Sequence, residues 1–370
     1  MPTELPSLSR KIAIEVLVHG AQSRAQLAKK MGLSPATVTR IVKPLVEMGV
    51  LVESDAIRTP GRGRSSLPLD VVADDYRFAG VKLTADSIYG VVTDLRAEVL
   101  DSETALVPSF DVADVLGAVV ALVERLRVRA GRELHGVGVT VGGVVEKGET
   151  VADSPFLHWH EVPFRSLLAG EIDVPLYLAN DVVGLTRAQQ WFGHGRAWPD
   201  FALLTIGAGI GYGLVINEEV VPTLVSPFSH FPVDPHGPLC PVGHRGCMTA
   251  YATSAAISAA VSFGRREEVS YDEVLQLAED GDPVATRVIE EAAYALGRAT
   301  AAVTSLTGVE RIVLSGEGIA VAELAASALR TGRHAYDGGR TSALEPVIRP
   351  MDFHEWARGA AVIAIQEVFP

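Results

Sequence analysis

At 370 residues the chain is long enough for two or three folded cores, and its 48% hydrophobic content marks it as globular rather than disordered. No apolar run approaches the ~18 residues of a membrane span, two cysteines do not make a disulfide framework, and "MPTELPSLSRK" lacks a secretion signal's basic start and apolar stretch. A cytoplasmic protein with reduced thiols and no membrane partner is expected. The net charge of -13 argues against nucleic acid as a partner of the whole chain, but residues 1–70 carry ten Lys+Arg against six Asp+Glu. A mildly basic head on an acidic body is the asymmetry of a DNA-binding module joined to something else.

The head, residues 1–72, reads as three helices and a hairpin. "LSRKIAIEVLVHG" sets Ile12, Val16 and Leu17 on one side and stops at Gly20. In "SRAQLAKKMG" Ser23 and Gln26 have capping-box spacing, with Leu27, Ala28 and Met31 apolar and Gly32 the stop. "SPATVTRIVKPLVEMG" opens on a Ser34 cap with Pro35 at the first helical position, and Val38, Ile41, Val42, Leu45 and Met48 recur at helical spacing. Two short helices joined by a glycine-containing turn predict a helix-turn-helix whose second helix enters the major groove. Its exposed side and amino end offer Ser34, Thr37, Thr39, Arg40 and Lys43 to phosphates and base edges. Pro44 predicts a kink or an early end at Lys43. In the following hairpin Val50 and Val52 alternate on one strand, Leu67 and Leu69 on the other. The tip "TPGRGR" presents Arg62 and Arg64 to a narrow minor groove. The head is expected to be a winged helix-turn-helix bound to a double-stranded operator.

From about Tyr76 the pattern becomes strands followed by a helix, twice over, with glycines at strand ends, predicting an α/β body with two similar halves around a cleft. Cys240 and Cys247, with His230 ten residues before the first, suggest a metal site. Gly207, Gly209, Gly211 and Gly213 form a glycine-rich loop that alone says little, since glycines at strand ends more often make tight turns than phosphate sites.

A winged helix-turn-helix fused to a body containing "LAND", "LTIGAGIGYGLVI" and H-x9-C-x-V-G-x2-GC resembles the ROK family of sugar-responsive repressors and sugar kinases over nearly the whole chain. The resemblance implies an actin-like, hexokinase-like fold, with lobes at 73–190 and 191–370, usually dimeric or tetrameric. It also implies a sugar or sugar-phosphate effector in the cleft, with Asn180, Asp181 and His230 as its contacts. The family's first phosphate loop, approximately D-I-G-G-T-K, corresponds here to "KLTADS". Lys82 stands for the acidic residue, and Thr84 and Ala85 for both glycines. Without those glycines a backbone cannot close on a phosphate, so no kinase activity and no bound nucleotide are expected. Glu317 interrupts the glycines of the adenosine region as well. Asp181, the kinases' general base, is left without a phosphoryl donor and free to cap a helix, bond a sugar hydroxyl or pair with Lys82 across the cleft.

Two further sugar-binding glutamates of the family correspond to Pro227 and Thr249. The family's zinc is held by one histidine and three cysteines. Here His230, Cys240 and Cys247 match and Val242 replaces the third thiol. The loop therefore either packs around Val242 without metal or completes a zinc shell with water, His236 or His244. The resulting expectation is a transcriptional regulator, a repressor, built on an inactive kinase body. The rivals are an active ATP-dependent sugar kinase with an attached DNA-binding domain, and a ligand-independent regulator controlled by a protein partner.

Overall fold

The computed structural model describes residues 6–54, 67–222, 228–337 and 344–369. Helices α1 (Ser7–His19), α2 (Arg24–Met31) and α3 (Pro35–Glu47) pack through Ile12, Val16, Leu17, Leu27, Val38, Val42 and Leu45, all essentially excluded from water. The caps are those the sequence predicts. Ser23 and Gln26 close a capping box, Gly32 ends α2 in the left-handed region, and the Ser34 hydroxyl accepts the Thr37 N–H at 3.1 Å.

Pro44 does not end α3, which runs to Glu47. The carbonyl that Pro44 leaves without a donor belongs to exposed Arg40, where water can serve it, while buried Val42 and Leu45 hold the turns on either side. The hairpin is shorter than expected. Only Val52–Glu53 (β1) and Leu69–Asp70 (β2) pair, because the Val50 and Leu51 N–H groups bond back to the Leu45 carbonyl and close α3 instead. The wing tip with Arg62 and Arg64 lies outside the described residues.

The body repeats one plan. In the first sheet β3 (Phe78–Leu83), β4 (Ser87–Thr93) and β5 (Val99–Leu106) form an antiparallel meander. Then β6 (Gly136–Val141) and β10 (Leu176–Asn180) add in parallel beyond β3. In the second, β11 (Phe201–Ile206), β12 (Ile210–Ile216) and β13 (Glu219–Val221) are the meander, and β14 (Ile312–Gly316) and β15 (Val347–Pro350) add beyond β11. A small sheet of β7 (Val144–Glu146), β8 (Thr150–Ser154) and β9 (Trp159–Val162) projects from the first half. Helix α4 (Val112–Ala130), capped by Asp111, covers the first sheet, and α5 (Phe164–Ala169) follows β9. The long helix Pro283–Thr307 backs the second. The segment "VAELAASALRTG", expected as one helix, forms two, Ala320–Leu324 and Ala326–Asp337, parted where Ala325 leaves helical geometry.

Two helices tie the cleft to the head. Helix α6 (Asp181–Phe192) starts at the end of β10. Phe353–Val368, expected in the second lobe from its place in the chain, instead returns across the first sheet. It lies so close that a Cβ on Gly80 or Gly138 would sit 2.0 or 1.8 Å from the carbonyls of Ala357 and Ala360. Ala357, Ala361 and Ile365 of that helix share one continuous core with the head's Ile12, Val16 and Leu45. The head is thus docked on the first lobe rather than hung from a linker. Arg96, in the turn after β4, reinforces the seam by donating to the carbonyls of Val16 and Leu17 and to the Asp70 carboxylate.

Candidate functional site

On the head, Ser34, Thr39, Arg40 and Lys43 are exposed along α3 and Thr37 is half-buried. Three hydroxyls are already engaged locally, Ser34 with Thr37 at 2.8 Å and Thr39 with the Pro35 carbonyl at 2.9 Å. Lys43 stands 3.8 Å from the exposed Glu47 carboxylate, a weak pairing that water screens. Arg40 makes no ion pair among the described residues. It is the side chain on this face best able to reach out.

Between the two sheets a cavity of about 310 Å³ opens at the strand ends, lined by Lys82, Thr84, Gly142, Asp181, Gly207, Glu317 and Trp356 among others. Its charges are satisfied from within. The Lys82 ammonium, buried on β3, pairs with the Asp181 carboxylate and stands 5.4 Å from the centre of the Trp356 ring. Burying an ammonium unpaired would be prohibitive, so a carboxylate and a ring face are the partners such a group requires. The pairing of Lys82 with Asp181 expected from the sequence is therefore present. Asp181 is not the helix cap, however. Asn180 caps α6, accepting the Val182 and Val183 N–H groups while its amide donates to the Gly143 carbonyl at 2.9 Å.

The β3–β4 turn, where the kinases cradle phosphate, closes on its own side chain. Thr84 bonds Asp86 at 2.9 Å and the Ser87 backbone at 2.9 and 3.0 Å. Across the cleft, Glu317 accepts the Ala208 N–H at 2.8 Å. Its carboxylate covers Gly207 so closely that a Cβ there would lie 1.8 Å from a carboxylate oxygen. An internal anion therefore rests on the glycine loop itself. The burial of nearby Tyr271, with Glu317 beside it, pushes that phenol well above its ordinary range, leaving it a donor to the Gly318 carbonyl at 2.7 Å.

A larger cavity of about 960 Å³ lies behind Asn180, lined by Glu146, Arg165, Tyr177, Thr186, Arg187 and Tyr212 among others. Asn180 borders both spaces, Asp181 only the smaller, and His230 neither. Thr249 is tied to the Ser229 carbonyl at 2.7 Å, and Pro227 lies outside the described residues.

His230 faces the cysteines instead. Its Nδ1 is 3.7 Å from Cys240 Sγ and 3.6 Å from Cys247 Sγ, and its ring centre is 4.4 Å from that of His244. One ligating atom from each of His230, Cys240, His244 and Cys247 falls within 4.8 Å of the others. Val242 does not pack into this space. It stands at the loop apex, 65% exposed, so the expectation of a loop repacked around valine is not met. His236 is not in the cluster. Burial and the neighbouring His244 hold His230 below the usual histidine range, keeping a lone pair free for a metal. Burial opposes ionisation of Cys240, but N–H groups of Val242, His244 and Gly243 and the Cys247 thiol draw it below the usual thiol range. Four soft, neutral or anionic donors with no acid among them suit zinc.

Trp356 and the seam around Arg96 were not foreseen from the sequence. Only long-range pairing brings them to the site, and neither carries a local signal.

A two-lobed sugar-kinase fold carrying a winged helix-turn-helix head is the class these observations define. The ROK family model matches residues 78–367, and a winged helix-turn-helix DNA-binding model matches residues 7–52. The chain belongs to the ROK family. It is 25% identical to the xylose repressor of Caldicellulosiruptor bescii, over 89% of this chain and 88% of that protein. It is 26% identical to the dual regulator NagC of Escherichia coli, over 81% and 77%. Among solved structures, a ROK transcriptional regulator described as a homologue of E. coli MLC superposes with TM-score 0.79 and 23% identity, over 98% and 97% of the two chains. A ROK glucokinase from Streptomyces griseus superposes with TM-score 0.68 and 23% identity, over 78% of this chain and 99% of its own. The matched glucokinase thus accounts for the body, while the regulator accounts for body and head together.

Proposed function

We propose that this chain is a cytoplasmic, sequence-specific transcriptional repressor, a homodimer or homotetramer, whose kinase-like body binds a sugar or sugar phosphate and no longer transfers phosphate. The observation that carries the reading is the self-satisfied cleft beneath a docked DNA-binding head. Lys82 neutralises Asp181, the residue that would act as base, and Glu317 occupies the glycine loop that would hold a phosphate. An ATP phosphate would have to displace a carboxylate and approach a turn closed by Thr84. The names of its relatives, xylose repressor and NagC, agree with a sugar as effector.

Helix α6 supplies a route from cleft to DNA. It begins at Asn180 and Asp181 and extends about 18 Å at 1.5 Å per residue. Just past its end, Arg196 donates to the Val18 carbonyl of α1 at 3.4 Å. Arg187 pairs with Glu367 at 3.1 Å, binding α6 to the carboxy-terminal helix that also runs beneath the head. A ligand that moves the start of α6 moves the platform of the head. In an oligomer that changes the spacing of two recognition helices, which must match two half-sites. The cluster around His230 is a structural zinc site that braces the loop following the second meander.

The test is selection of operator sequences from random DNA with the full chain, followed by titration with a panel of sugars and sugar phosphates. An enriched two-half-site sequence whose affinity falls at least tenfold with one sugar is expected. Absence of any enriched sequence would refute the regulator. An unchanged affinity with every sugar, together with release by a protein partner, would replace the effector by that partner.

A further inference from the structure

We infer that His244 is the fourth zinc ligand of this chain, completing a two-nitrogen, two-sulfur site in place of the thiol lost at Val242. The inference rests on the zinc reading above and adds the residue that closes the shell.

The hairpin geometry selects His244. Leu239 pairs with Arg245 in an antiparallel bridge, and Cys240 N–H bonds the His244 carbonyl at 2.8 Å. Cys240 and His244 are therefore direct cross-strand neighbours, whose side chains share a face. The turn between them is closed by Gly243 N–H on the Cys240 carbonyl at 2.9 Å, with Gly243 at φ +91°, a left-handed conformation that suits glycine. Val242 lies at the apex of that turn and points to solvent. In this conformation the donor on the cluster's side of the loop is at 244, and a thiol at 242 would reach the same centre only after the apex turns inward.

The distances fit a metal. A tetrahedral zinc with bonds of about 2.3 Å to sulfur and about 2.0–2.1 Å to nitrogen sets sulfur and nitrogen about 3.6 Å apart. His230 Nδ1 stands 3.6 and 3.7 Å from the two sulfurs. The His244 ligating nitrogen lies within 4.8 Å of all three other donors, within reach of the same centre after a small rotation of an exposed side chain. Cys247 is held in place by the bridge to Pro232 and by Gly246, where a Cβ would lie 1.6 Å from the Asp234 carbonyl. His236 lies outside the cluster, its backbone N–H bonded to the Asp234 carboxylate at 2.9 Å. No carboxylate enters the cluster, which disfavours calcium or magnesium.

The experiment is cobalt(II) titration of the full chain under a non-chelating reductant, followed in the visible and near ultraviolet, on wild type, His244→Ala and the double variant Val242→Cys/His244→Ala. X-ray absorption on the zinc-loaded wild type counts imidazoles directly. The expected result is one cobalt per chain with the intense visible bands of a tetrahedral site and charge transfer from two thiolates, and two imidazoles per zinc. His244→Ala should bind more than ~100-fold more weakly, beyond the ~10–100-fold loss that an outer-shell partner causes. The double variant should regain tight binding with stronger thiolate charge transfer. If His244→Ala fails to fold, the imidazole count on wild type decides alone: two supports the ligand, one overturns it. Equal affinity and an identical spectrum in wild type and His244→Ala would overturn the role of His244 and leave the zinc site standing. A wild type that takes up no metal would overturn both.

Discussion

At the position that resembles the kinases' acidic residue, Lys82 carries an ammonium that pairs with the Asp181 carboxylate. Both side chains are largely buried, so removing one leaves the other as an unpaired charge away from water. Lys82→Met is therefore expected to destabilise the chain by about 3 kcal/mol in denaturant unfolding, with Asp181→Asn recovering most of that loss when the two are combined. Lys82→Asp should not yield sugar phosphorylation in a coupled assay. It would set two carboxylates against each other, while Glu317 and the Thr84 turn stay in place. This ion pair was legible in "KLTADS" and "LAND", because each residue's chemistry demands a partner of known type. The Trp356 ring over Lys82 was not, since it arrives from 274 residues further along the chain on a helix whose return across the sheet has no local signature.

At the scale of elements, α1 meets the body while α3 keeps Arg40 and Lys43 exposed. Arg40→Ala should weaken binding to the selected operator by about 1–3 kcal/mol in fluorescence anisotropy, without changing the melting temperature, because Arg40 is exposed and outside the core. Pro44 was read as a kink or an early end at Lys43, and α3 does not end there but continues to Glu47. Propensity is a local preference, and burial of Val42 and Leu45 on either side overrides it. At the end of α1, burial outweighs the attraction of Glu15 and holds His19 below the usual histidine range, with Lys30 and Arg196 adding to the effect. The unfolded chain then binds the proton more readily than the folded one. His19 accordingly makes stability rise with pH, and its contribution is lost as pH falls below the unfolded value of about 6.5. Thermal melts between pH 5 and 7 should show a shallower pH dependence in His19→Gln than in wild type. Equal slopes would exclude His19 as the source.

For the whole molecule, the consequence of the fold is that the head and the first lobe share one core. The duplicated sheet plan was legible as strands followed by helices, repeated, and the head as caps and stops at helical spacing. The docking of head on body was not, because Arg96 and Val16 are joined by no pattern a linear reading contains. If the seam transmits the effector's presence, Arg96→Ala should leave sugar binding intact in calorimetry while reducing the sugar-induced loss of operator affinity by at least threefold. The claim that this body senses rather than phosphorylates is met most directly by thermal unfolding of the full chain against sugars, sugar phosphates and ATP with magnesium. Ligand at a hundredfold excess over its dissociation constant stabilises a protein by about 2.7 kcal/mol. A raised melting temperature with one sugar and none with ATP and magnesium is the expected outcome, whereas stabilisation by ATP and magnesium would show an open nucleotide site and contradict it.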